Sequence, residues 1–160
     1  MKRIIISAMS HDRVIGTGTG LPWHIPEEYA HFLDCVRGNV MLMGRKSWEI
    51  FGGDVVTAAN IIITGSAEFA NAQSAAGIAE ALALAASYQR PIFIAGGATI
   101  YTQALDADVV DEMWLSYIPG TFAGETRFPE FSTADWQDQE RRAEPRYEFV
   151  RWTRREKCPE

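Results

Sequence analysis

Along this chain, short all-apolar runs alternate with stretches whose apolar residues return at helical spacing. Residues 4–9 are apolar at almost every position, which predicts a strand buried on both faces of a sheet. Asp12-Arg13 suits a turn, and Val14-Ile15 returns briefly to apolar character. Pro26 can hold the first helical position, where a missing N–H costs nothing. Behind it Tyr29, Phe32, Leu33 and Val36 recur at i, i+3, i+4 and i+7, one face of a helix. Residues 40–43 read as a fully buried strand. Residues 48–51 read as a second helix, opened by residues 44–47 and ended by Gly52-Gly53. A strand over 60–64, an irregular stretch over 67–74, an alanine- and leucine-rich helix over 79–86 and an apolar strand over 91–95 follow. Gly96-Gly97 opens a helix that runs to about Leu105. Residues 112–118 form a strand, 120–129 a loop, and 136–141 with 147–154 an antiparallel hairpin.

Strands that alternate with helices predict an α/β fold with a mostly parallel central sheet and late strands free to run antiparallel. Ligands in such sheets sit beyond the carboxyl ends of the strands. At 160 residues the chain reads as one domain, residues 1–160, large enough to bury a core without staples. A formal charge of −6 argues against a nucleic-acid partner, which requires clustered cations. Cys35 and Cys158 make no disulfide framework. The N-terminal apolar run is too short for a signal peptide and no stretch could span a bilayer, so the expectation is a cytoplasmic protein without a membrane partner.

Candidate chemistry collects in a few places. On the first helix Glu27, His31 and Asp34 fall on the polar side, with His31 read as solvated. Glu28 lies one turn before Phe32, at the edge of the apolar stripe, where a carboxylate is either solvated or buried for a purpose. Gly44-Arg45-Lys46-Ser47 places a glycine and two cations at a helix start, a favourable seat for phosphate. Gly96-Gly97 offers a second, since glycines let backbone amides approach a ligand closely. Residues 16–20 alternate glycine with threonine. Their spacing is wrong for a dinucleotide fingerprint, and a small mobile lid is the better reading. No nucleophile elbow occurs, and His11, His24 and His31 have no metal-ligand spacing with the cysteines. One buried acid beside a dinucleotide site suggests reduction, with a cofactor carrying the hard step and no metal.

Six segments carry a family likeness: DRVIG over 12–16, LPW over 21–23, the helix with Glu28 and Phe32, MGRKSW over 43–48, AGGATIY over 95–101 and GETRFP over 124–129. In this order they resemble the dihydrofolate reductase family. The resemblance implies a three-layer α/β/α fold with an antiparallel C-terminal hairpin, NADPH as cofactor, a small pterin or folate substrate, and a monomer. It also implies hydride transfer to C6 of a dihydropterin with protonation at N5. Glu28 would be the family's acid, Trp23 would hold a water near the pterin, and Ser116 would replace a threonine that bonds the acid; these are the implied catalytic residues. Substrate would lie against Ala8, Met9, Glu28, Tyr29, Phe32, Phe51, Val55 and Ser116. Cofactor would meet Ala8, Ile15, Gly16 and Leu21 at the nicotinamide, then Gly44, Arg45, Lys46, Ser47, Thr64, Gly65 and Ser66 at the adenosine phosphates. Ala95, Gly96, Gly97, Ala98, Thr99, Ile100 and Tyr101 would surround the pyrophosphate.

One departure bears on substrate choice. The family carries an arginine that pairs with the α-carboxylate of the folate tail, and gap-free alignment puts Ala58 in its place. No other lysine or arginine lies between Lys46 and Arg90, and Asp54 would repel the tail. Losing such a charge-assisted bond costs roughly 1.5–3 kcal/mol. Ala95 also replaces a larger aliphatic residue beside the pterin. Three readings therefore stand: dihydrofolate reduction with weakened tail recognition, reduction of an unconjugated dihydropterin, and a non-catalytic pterin- or nucleotide-binding paralogue.

Overall fold

In the computed structural model, which describes residues 1–17, 20–65 and 69–156, most of the backbone is organised around one sheet. Its strands are β1 (Arg3–Ser10), β3 (Val40–Gly44), β4 (Ala59–Ile63), β5 (Gln73–Ala75), β6 (Ile92–Ile94), β7 (Glu112–Ile118), β9 (Trp136–Ala143) and β10 (Glu148–Arg154). They lie in the order β5-β4-β3-β6-β1-β7-β10-β9. All neighbours from β5 to β7 are parallel, and β10 returns antiparallel to both β7 and β9. The mostly parallel sheet with a C-terminal hairpin is the one the sequence predicts.

Period-two alternation explains why the central strands read as continuous apolar runs. On β3, Val40 and Leu42 face one side and pack with α3 (Ile78–Ala86) and α4 (Ala98–Asp106). Met41 and Met43 face the other and pack with Val36 and Phe32 of α1 (Pro26–Val36) and Trp48 of α2 (Arg45–Phe51). Parallel strands need both faces covered, and helices on both faces leave only the strand ends free. Among the described residues no helix is long and apolar enough to cross a membrane.

Two small elements escape the sequence pattern. β5 lies in the stretch read as irregular; it is three residues long and buries only Ala75, leaving Gln73 and Ser74 exposed, so it shows no alternation. β2 (Val14–Gly16) pairs antiparallel with β8 (Thr126–Arg127), inside the predicted loop 120–129. The second helix also starts earlier than predicted, at Arg45.

The β2–β8 pair depends on Gly124. A Cβ there would stand 2.5 Å from Val14 Cγ1 and 2.7 Å from the Gly16 carbonyl oxygen, and Val14 is fully buried. Gly124→Ala must therefore push β2 away from its neighbour. It is expected to lower unfolding stability by about 1–3 kcal/mol, the usual range for overpacking, read as a shifted urea midpoint with unchanged slope.

Candidate active site

β1, β3 and β6 end at the same edge of the sheet, and a cleft opens there. Ile6, Ser7 and Ala8 come from β1, Glu28, Tyr29 and Phe32 from α1, and Ser47 and Phe51 from α2. Ala95, Gly96, Gly97 and Tyr101 form the opposite wall, with Ile15 and Leu21 completing it. An adjoining groove shares Ile15, Ser47, Phe51 and Gly97 and continues past Gly16, Gly44, Arg45, Lys46, Ala98, Thr99 and Ile100.

Glu28 is the charged group of the first half. Although it sits in the first turn of α1, it is only 5% exposed. Burial drives its carboxyl up to about 7, and the Ser116 hydroxyl, itself buried on β7, pulls the other way by favouring the charged form. The register explains how Ser116 arrives: it pairs with Ala8, another residue of the cleft edge. No lysine or arginine is among the described residues lining this half.

The second half is different. The Gly44 N–H donates to the Gly96 carbonyl at 2.8 Å, which ties the end of β3 to the turn after β6. Gly96 has φ +125°, and a Cβ there would come within 3.2 Å of Ser47 Oγ, so only glycine is accommodated. Beneath the turn, the buried Tyr101 hydroxyl donates to the Ile6 carbonyl at 2.7 Å. Arg45 and Lys46 are exposed on the groove's rim. Backbone turns, small residues and two cations suit a phosphate-bearing ligand.

Several expected site residues lie elsewhere. Met9 is 1% exposed and belongs to the core under α3 and α4; alternation turns it away from the face that Ala8 presents. Val55 packs beside Trp48 and Phe69 in a separate groove. Trp23 is not part of the cleft lining. Its ring packs edge-on to Phe122 at 5.5 Å, and its indole N–H is buried without a partner. Thr64 donates its N–H to Ala75 at 2.9 Å, and neither it nor Gly65 lines the groove. Ser66 and Cys158 lie outside the described residues, as do Gly18 and Thr19 of the expected lid. His31 is not solvated: it packs edge-on against Phe149 at 4.9 Å, with Cys35 Sγ 3.7 Å from Nε2. Burial lowers its pKa and raises that of Cys35 to about 11, an unreactive thiol.

The structure also adds residues that the sequence reading missed. Ile6 shares a face with Ala8 and could have been found from alternation alone. Ser7 faces the other way and lies on β1 beyond Ile5, the last residue paired with β6. Ile50 and Ile63 border the groove with no local signal in the sequence, while Gly20 and Thr126, which also border it, fall in the expected lid and in the GETRFP segment.

Residues 3–154 match the family model described as dihydrofolate reductase. The chain belongs to the dihydrofolate reductase family. It is 33% identical over 133 residues to a dihydrofolate reductase of Staphylococcus aureus, covering 81% of this chain and 80% of that protein. It is 29% identical over 143 residues to the dihydrofolate reductase type 3 of Salmonella typhimurium, covering 88% and 86%. A structure of dihydrofolate reductase from Enterococcus faecalis, complexed with NADP(H) and RAB-propyl, superposes with a TM-score of 0.84 over 97% of both chains at 23% identity, a likeness of fold.

In this dihydrofolate reductase fold the acid weakens the scaffold that carries it. Between the ordinary carboxyl range and about 7 the folded chain holds a proton that the unfolded chain has lost. Stability therefore falls as pH rises through that window and stays lower above it. Glu28→Gln removes the titration. Relative to the parent it should gain up to about 3 kcal/mol at pH 8 and little at pH 4, measured by urea unfolding at both values.

Proposed function

We propose that this chain reduces 7,8-dihydrofolate to 5,6,7,8-tetrahydrofolate with NADPH, adding hydride at pterin C6 and a proton at N5. The observation that carries the reading is the single half-neutralised carboxyl, Glu28, at the bottom of an apolar cleft that continues into a backbone-lined, cation-rimmed groove. Membership of the dihydrofolate reductase family supports it.

The groove fits the cofactor. Arg45, Lys46 and Ser47 would meet the adenosine phosphates, and residues 96–100 would hold the pyrophosphate against backbone amides. When bound, NADPH supplies the hydride. Ala8, Ile15, Ala95 and Tyr101 would position the nicotinamide edge, and Leu21 would help exclude water. Glu28 would bond the pterin 2-amino group and N3. Because the carboxyl titrates near neutrality, it can favour the protonated ring without holding a permanent charge. Ser116 would orient it from β7. Tyr29, Phe32 and Phe51 would pack on the substrate's rings, with Tyr29 and Phe51 centroids 6.2 Å apart.

A second reading has its own support. Ala58, in the loop after α2, is exposed, and its N–H donates to Asn39 at 2.9 Å, so the backbone is anchored but no cation is presented. That favours an unconjugated dihydropterin over a conjugated one, and kcat/KM on the two substrates separates the readings. A cytoplasmic monomer completes the proposal: Met1, Ile50 and Val56 are the large apolar residues exposed among those described, too few for a stable interface.

Glu28→Gln should keep NADPH affinity and lower kcat/KM for dihydrofolate by about 10²–10⁴ near neutral pH. The parent's rate should fall as pH rises past about 7, an inflection absent from the variant; an unaltered rate removes Glu28 from the mechanism. Ala58→Arg should lower KM for dihydrofolate by about tenfold, and an unchanged KM would show that another path serves the tail.

A further inference from the structure

The first turn of α1 carries Glu28 without a capping side chain. Its N-cap is Ile25, which makes no side-chain hydrogen bond, and Pro26 has no N–H to place. Farther along the helix, Phe32, Cys35 and Val36 pack on the sheet with Met41, Met43 and Phe93. The first turn rests instead on the turn between β9 and β10, residues 144–147. Arg146 Nε and Nη2 donate to the two carboxylate oxygens of Glu27, each at 2.5 Å. Ile25 packs on Ile118, Tyr147 and Phe149, and His31 lies edge-on to Phe149 at 4.9 Å. The Tyr29 hydroxyl adds a bond to Asp54, in the loop after α2, at 2.6 Å.

Glu27 and Arg146 are both exposed, and exposed ion pairs contribute little unless their geometry is ideal. This pair is bidentate, a planar fork on a planar carboxylate. Arg146 holds the Glu27 carboxyl down at about 2, so the bond persists throughout the range in which Glu28 titrates. The turn that presents Arg146 is itself fixed. The Glu144 N–H donates to the Tyr147 carbonyl at 2.9 Å, Arg142 Nε donates to Glu144 at 2.7 Å, and Tyr147 is buried. Glu28 follows Glu27 directly. It faces Ser116 of β7, Tyr101 of α4, Tyr147 ahead of β10 and Cys35 of its own helix, with no cation among them. Its burial therefore depends on where the first turn rests, not on a charged partner.

Resting on the proposed dihydropterin reduction, we propose that Arg146 is a positioning residue for Glu28. Its fork on Glu27 fastens the first turn of α1 to the β9–β10 turn, and this keeps the neighbouring acid buried over the cleft. Arg146 lines neither the cleft nor the groove; it acts through Glu27 and the helix backbone. Without the bond the turn lifts, water reaches Glu28, and the acid is no longer held where a pterin ring would meet it.

The test combines Glu27→Gln with Arg146→Gln, which removes the bond and leaves the net charge beside Glu28 unchanged. Against the parent, kcat/KM for dihydrofolate should fall about five- to tenfold, with NADPH affinity unchanged. The inflection near 7 should move down toward the ordinary carboxyl range, as a better-hydrated acid requires. Arg146→Lys, which keeps a cation but loses the fork, should lie between the parent and the double variant in both respects. Followed by carbon-13 NMR, the Glu28 carboxyl of the double variant should show the same downward shift without turnover. A double variant with the parent's rate and inflection overturns the proposal. A slower rate with an unmoved inflection also overturns it, since the pair would then serve stability alone. An equal loss of NADPH affinity overturns it too, because the whole cleft would have loosened. If the parent reduces no dihydropterin, the reductase reading fails, and the Glu28 titration still decides the positioning.

Discussion

Parallel strands buried on both faces can meet a ligand only where they end, and this constraint governs the chain. With α1 and α2 on one face of the sheet and α3 and α4 on the other, every side chain of β3 before Gly44 is enclosed. The carboxyl edge of β3, β6 and β1 is what remains accessible. There the backbone itself lines the cleft and groove, and glycines at 44, 96 and 97 keep it bare. α1 covers that edge and lines the opening with Glu28, Tyr29 and Phe32. Glu28 is buried for that reason: Pro26 begins the helix, and the acid two residues later lies under the turn that carries Phe32.

The fold was legible in the sequence wherever both faces of an element are buried. β1, β3 and β6 read as apolar runs because helices cover each side. β5 and β8 were not legible, since their short pairings are made by backbone, with exposed polar side chains that leave no mark on the hydropathy pattern. The same distinction divides the site. Glu28, Phe32 and Gly96 are set by local helix phase or by backbone approach, and the sequence placed them in the cleft. Met9 was misread because adjacent strand residues face opposite sides, which motif matching ignores. Trp23 and Val55 depend on the path of loops, where no period applies. His31 was read from its own helix alone, while the partner that buries it, Phe149, comes from a strand more than a hundred residues later.

Two buried glutamates show how the surroundings divide chemistry from architecture. Glu112, on β7, is 3% exposed, comparable to Glu28. Desolvation would raise it in the same way, yet Lys2 Nζ at 2.7 Å and Arg151 at 2.8 Å overcome that and hold it below its ordinary value. It therefore stays charged and ties Lys2, just before β1, and Arg151 of β10 to β7 at the end of the sheet away from the cleft, near Pro91 and Cys35. A paired acid of this kind is costly to break but has no proton to offer near neutrality.

Among the described residues Glu28 has no such partner. Its one polar neighbour named from the scaffold is a serine, which shifts the balance without fixing it. An arginine placed within reach would make the carboxyl as inert as Glu112 and would stabilise the fold while abolishing its capacity to change state. Neither α1 nor the loop after α2 carries a lysine or arginine, and the cations that border the adjoining groove, Arg45 and Lys46, are held apart, on α2. Separating the two charge environments across one cleft lets a net-acidic chain hold a neutralisable acid and a cation-rimmed groove side by side.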